Sequence, residues 1–287
     1  METLSATESY LSLLLALPQL EPITVLAVFF LTIARLLPIL ALAPFLGAQN
    51  IPGTIRMMFG IALTAIFLPQ NLLHVHQEIP LAMPFIGYCL KELLVGTCLG
   101  FLASAPFYTA QMAGSLLDFQ RGASSLQVTD PTTRSQTGSF GILFNYVLIA
   151  VFFALNGPFF FLDGLATSYE LIPVDGVLNG QFFLRNTTLW TLIFKMGGKM
   201  FDLCIQLTAP GLIGILLTDL FLGIANRMAP QVQIVFLGMP LKSWVGIAMV
   251  AGAWALIMQV MGKEAMNWFK MINQVVQQVG HSWNLSQ

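Results

Sequence analysis

Asp118, Arg121, Asp130 and Arg134 stand in one polar stretch, residues 111–137, which reads QMAGSLLDFQRGASSLQVTDPTTRSQT between long apolar runs. Carboxylates and guanidinium groups at this spacing can pair, cap helix ends or line a wet passage. They do not form a recognisable reaction centre. The chain has no HExxH, no GxSxG and no DxxxD metal-phosphate cluster, so a membrane enzyme has no support. Cys89, Cys98 and Cys204 all lie in apolar runs without a CxxC pair and read as small buried hydrophobes. His74 and His76 face one way on an extended segment but lack a third ligand, and a metal site usually needs three or four. No metal and no cofactor is expected.

What remains is a gating or structural role. Residues 111–137 also hold Gly114, Gly122, Pro131 and many Ser, Thr and Gln. Backbone of this kind cannot sit bare in lipid, where its N–H and C=O groups would go unpaired. It needs water, protein or a wet channel around it.

The elements that must position this stretch are apolar. Of 287 residues, 56% are hydrophobic and 9% charged, and the mean hydropathy is +0.79. A soluble domain carries about 25% charge. The chain reads as an all-α integral membrane protein, because strand-period alternation is absent and the apolar runs are long. A formal net charge of −1 argues against nucleic-acid binding, which needs a basic surface. The N-terminal residues carry Glu2 and Glu8 but no Lys or Arg, the reverse of a cleavable signal's basic start, so the first span is expected to stay in the protein.

About six long apolar regions follow, kinked or broken: 23–45, 57–73, 81–108, 140–162, 187–222 and 234–261. Loops are expected at 47–56, around His74, at 164–186 and at 223–231. One helical membrane domain is expected over 1–262, with residues 111–137 as its polar loop. A short amphipathic tail, 263–287, is expected to lie at an interface. The pair Gly96 and Gly100 forms a GxxxG, which permits close helix packing.

Nearly every run carries a charge or a proline. Arg35 interrupts the first and either snorkels, pairs or faces a wet path. Lys91 and Glu92 interrupt the third; as helix neighbours they point about 100° apart and need other partners. Lys195, Lys199 and Asp202 share a face in the fifth, which also holds Asp219. Charged faces of this kind must meet protein or water, so other subunits are expected to cover many of these helices. Loop charges favour the N-terminus outside and the loops with Arg56, Arg121, Arg134 and Arg227 in the cytoplasm.

Three stretches in this order resemble the FliR/SctT family, the export-gate subunit of flagellar and virulence type III secretion systems. They are AGSLLDFQRGASSLQVTDPTT at 113–133, NGPFFFLDGLATSYELIP at 156–173, and LGIANRMAPQVQIVFLGMPLKSWVGI at 222–247. The order AG–D–QRG–DP in the first looks like the injectisome branch (SctT, also called YscT, EscT or SpaR). The third is the most specific, through the spacing of Asn226, Arg227, Met228, Pro230 and Gln231 from Gly238, Pro240 and Gly246.

The resemblance implies a fold like an SctR-type subunit fused to an SctS-type one, and a single copy within a helical assembly. Its implied partners are SctR/FliP-type and SctS/FliQ-type subunits, an SctU/FlhB-type switch protein and unfolded export substrates. Its implied place is the bacterial inner membrane, within the secretion-system base. It implies a pore plug in the polar loop, carried onto Gly114, Asp118, Gln120, Arg121, Gly122, Asp130 and Pro131. It implies a structural, subunit-contact role for Asn226, Arg227, Met228, Pro230, Gln231, Gly238 and Pro240. Plainer readings stay open beside these. The glycines can end helices, Asp118 and Arg121 can form a local i,i+3 pair, Asp130-Pro131 starts a turn in any context, and Arg227 can cap a helix near Asp219. The rival function is a secondary transporter that uses Arg35, Lys91, Glu92, Asp202 and Asp219 as ligand or proton sites.

Overall fold

The computed structural model describes residues 22–47, 51–75, 79, 83–122, 138–176, 187–228 and 234–284. Among these there is no strand, and eight α-helices follow in order: α1 Pro22–Leu42, α2 Gly53–Leu73, α3 Met83–Gln120, α4 Ser139–Ala154, α5 Gly157–Leu171, α6 Thr187–Met228, α7 Ile234–Gly252 and α8 Trp254–Asn284. This is the all-α membrane architecture that the apolar runs predict. α1, α2, α3 and the part of α6 from Phe194 to Met228 are each long and apolar enough to cross a bilayer. The bent pairs α4–α5 and α7–α8 raise the number of spans to as many as six.

Several boundaries differ from the pattern, each for a local reason. α3 continues to Gln120, so the first ten residues of the polar stretch are helix. The fourth run breaks at Asn156, which takes a left-handed φ of 58°, a conformation that Asn tolerates better than most residues. The next helix then starts on Gly157 and continues to Leu171, through residues expected to be loop. Gly164, read as a loop glycine, is instead a packing glycine: a Cβ there would strike the Asn273 side chain of α8. α6 runs on through Gly223 to Met228, where a break was expected; an interior Gly costs about 1 kcal/mol against Ala, which a helix of this length absorbs. The last apolar run is interrupted at Ala253.

The tail also differs. α8 begins well before residue 263 and is amphipathic, but its apolar side is filled by protein. Ile257, Met261, Ala265, Trp268, Phe269 and Ile272 are buried, while Gln259, Lys263, Lys270, Gln274 and Gln277 are exposed. An interfacial helix would offer that apolar stripe to lipid.

The chain divides into two compact units. Unit 1 comprises residues 1–104, 159–192 and 269–287. In it, α3 lies directly on α1. A Cβ at Gly96 would collide with the Arg35 carbonyl, and one at Gly100 would come within 3.0 Å of the Ile39 Cα. The GxxxG therefore permits backbone contact. After α1, the 3₁₀ turn Pro44–Leu46 ends on Gly47 at φ 78°, and Phe45 packs edge-on against Phe161 and Phe269.

Unit 2 comprises residues 105–158 and 193–268. The C-terminal part of α3 pairs with α4 through Gly114, where a Cβ would collide with the Phe140 backbone, and through the Phe107–Phe152 edge contact at 5.5 Å. α6 and α7 interlock through glycine: a Cβ on Gly214 would press on Met249 and one on Gly246 would lie 3.2 Å from Ile215. The outer side of α6 is left bare, with Phe194, Phe201, Leu217, Leu220 and Phe221 all more than 60% exposed. In the four helices long enough to span, the chain itself buries only 22–44% of the apolar window. Lipid or other proteins must cover the remainder.

Candidate functional site

A buried polar site in unit 2 lies where the polar stretch leaves α3 and where the chain enters α4. α3 ends on a left-handed glycine, Gly122 at φ 80°. The Gly122 N–H donates to Phe119 O at 3.1 Å and the Arg121 N–H to Leu117 O at 3.1 Å. These bonds satisfy carbonyls that the helix end would otherwise leave open. One turn earlier, Asp118 is 2% exposed.

Asp118 Oδ2 accepts from the backbone N–H of Phe140 at 2.8 Å and of Gly141 at 3.3 Å. Those are orphan donors of the first turn of α4. The residue at the N-cap position of α4, Gly138, has no side chain with which to bond them, and a Cβ there would collide with the Asp118 carboxylate. Asp118 thus caps α4 from across the chain, and its negative charge sits at the positive end of the helix dipole. Arg121 completes the site. Its Nε donates to Asp118 Oδ1 at 3.0 Å, Nη2 contacts the same oxygen, and its guanidinium lies 4.6 Å from the Phe140 ring centroid. The i,i+3 pair expected from spacing is present, and it does more than join neighbours on one helix.

Of the residues assigned to the plug, the structure brings Gly114, Asp118 and Arg121 together around the start of α4, and Gly122 closes α3 beside them in the chain. Gln120 is the half-buried last residue of α3. Asp130 and Pro131 lie outside the described residues. Phe140 and Gly138 belong to the site although sequence reasoning did not single them out; the signal for Gly138 was a glycine immediately before an apolar helix.

In the third stretch, Asn226, Arg227 and Met228 form the exposed last turn of α6. Arg227 sits where a cation complements the helix dipole. Asp219 is paired with Lys242 of α7 instead. Gly238 is buried, with its Cβ position 3.2 Å from Leu222, and Pro240 is exposed within α7. Pro230 and Gln231 lie outside the described residues.

The charges that a transporter would use are engaged elsewhere or open to the surroundings. Lys91 and Glu92, expected to point apart, do meet: Lys91 Nζ lies 2.8 Å from Glu92 Oε1, because both long side chains bend toward the same buried point, which Arg35 also reaches. Lys199 pairs with Glu264 at 3.2 Å, and Asp202 is exposed. Among the described residues no group of three His, Cys, Asp or Glu is placed to hold a metal. A cavity in unit 1 lined by Leu99, Phe161, Phe269 and Ile272 measures about 10 Å³, space for one water molecule and not for a solute.

Known proteins match this chain along most of its length. It is 32% identical to the secretion system apparatus protein SsaT of Salmonella typhimurium, over 78% of this chain and 84% of that protein. It is 28% identical to the flagellar biosynthetic protein FliR of Bacillus subtilis, over 81% of this chain and 88% of that one. It is also 28% identical to the Yop proteins translocation protein T of Yersinia pestis, over 76% and 82% respectively. The family model described as bacterial export proteins, family 1, matches residues 26–268. On that span and those identities, the chain belongs to the bacterial export proteins of family 1.

Proposed function

We propose that this protein is a structural subunit of the export apparatus of a type III secretion system, in the bacterial inner membrane. In this reading it joins SctR/FliP-type and SctS/FliQ-type subunits, with an SctU/FlhB-type switch protein nearby, to form the entry pore for unfolded proteins. Residues 111–137 supply the plug, and the protein acts by gating and not by catalysis. Relatives named for secretion, translocation and flagellar biosynthesis support the export role.

The observation that carries the plug is the neck at its base. Asp118 ties the end of α3 to the start of α4, so the segment between Gly122 and Gly138 leaves and returns at one fixed place. A polar segment on such a base can move without unfolding the helices that carry it. A gap of a few kcal/mol between blocked and open states suffices for a two-state element. The apolar faces that the chain leaves uncovered supply the surface on which the other subunits pack.

The test replaces residues 123–137 by a short Gly-Ser linker and leaves Asp118, Arg121 and Gly138 in place. The complex is expected to assemble and, in planar bilayers, to pass ions that the intact complex holds back. Conductance unchanged from the sealed level would refute the plug.

A further inference from the structure

The export reading leaves Arg35, Lys91 and Glu92 without a role, yet they form the most completely enclosed polar cluster of unit 1. Arg35 and Glu92 are 0% exposed and Lys91 3%. A guanidinium has five N–H donors, and contacts account for them all. Nε donates to Glu92 Oε2 at 2.5 Å. Nη2 donates to Glu92 Oε1 at 3.0 Å and to the Ile172 carbonyl at 2.7 Å. Nη1 donates to the Ser168 carbonyl at 2.9 Å and the Ser168 Oγ at 3.3 Å. Arg35 also lies 4.2 Å from the Tyr169 ring centroid. Lys91 Nζ donates to the carbonyls of Pro173 at 2.6 Å and Val174 at 3.1 Å, beside Glu92. Asp175 is buried in the same turn.

The receiving carbonyls identify the purpose. α5 ends at Leu171. Of the receiving carbonyls, that of Ser168 also accepts the Ile172 N–H at 3.1 Å and that of Pro173 the Gly176 N–H at 3.2 Å, while those of Ile172, Pro173 and Val174 follow the helix end, at the negative pole of its dipole and beyond the reach of intrahelical donors. Pro173 follows and cannot continue the helix. We propose that Arg35, Lys91 and Glu92 are a latch for this helix end: two cations, from α1 and α3, cap the C-terminus of α5 and its exit turn, and Glu92 neutralises and aims them. The latch holds residues 172–176 against α1 and α3. It takes no ligand, since its donors are already bonded to protein. It stands independently of the plug.

The test follows the labelling of single cysteines by a maleimide in membranes carrying the full-length protein, with Cys89, Cys98 and Cys204 replaced by alanine. Val174→Cys reports on the turn and Ala113→Cys on unit 2; the two positions are 2% and 0% exposed. Arg35→Gln and Lys91→Met are each expected to raise labelling at 174 by about tenfold, one decade in local opening, and to leave 113 protected. The exchange of Arg35→Glu with Glu92→Arg restores opposite charges but removes the donors from position 35, so it is expected to label like Arg35→Gln. Protection of 174 in the exchanged protein would show a plain ion pair and overturn the cap. Labelling at both positions would show a determinant of the whole fold and overturn the local latch. Protection of 174 in every variant would show that the turn is held by something else.

Discussion

The two buried charge clusters solve one problem with opposite signs. In unit 2 an anion, Asp118, caps the start of α4; in unit 1 two cations bond carbonyls at the other kind of helix end, Arg35 at the close of α5 and Lys91 in the turn that follows it. Each charge complements the dipole of the helix end that it faces, and each comes from a different helix. Their enclosure differs. Arg35 and Glu92 are fully enclosed, whereas the Arg121 side chain keeps 11% of its surface exposed. Where helices break inside an apolar protein, the loose backbone groups must be bonded from elsewhere.

This contrast orders the expected effects of substitution, each read as a thermal unfolding midpoint in detergent. Glu92→Ala strands Arg35 and Lys91 without their carboxylate and is expected to cost about 3–5 kcal/mol, the cost of breaking a buried pair. Gly114→Val drives a side chain into the Phe140 backbone and is expected to cost about 1–3 kcal/mol as overpacking. Asp118→Ala removes a cap but leaves Arg121 able to reach solvent, so about 1–2 kcal/mol is expected. A loss from Asp118→Ala equal to that from Glu92→Ala would erase the contrast in enclosure. Lys242→Ala breaks a partly exposed pair with Asp219 and is expected to cost about 0–1 kcal/mol.

Much of this fold was legible as sequence because lipid and protein interiors impose long apolar helices, and the chain complies. The i,i+3 spacing of Asp118 and Arg121 announced their pairing. Gly96 and Gly100 announced a close approach without saying to what. Sequence could not show that Arg35 meets Glu92, a contact between residues 57 apart, nor that carbonyls at 168–174 receive both cations. Such contacts follow from packing and leave no periodic trace. Glycine misled twice in the same way: Gly164 marks an approach by Asn273 and Gly223 sits in continuous helix, although both suggested loops. An amphipathic pattern such as that of residues 263–287 does not by itself say whether lipid or protein fills the apolar side.

Helices this bare need covering, and in the reading proposed above other subunits cover them. Native mass spectrometry of the particle purified through a tag on this chain tests it directly. The expected result is one large particle with a single copy of this chain and two further kinds of integral membrane protein. A stable monomer or homo-oligomer of this chain, recovered without other membrane proteins, would contradict it.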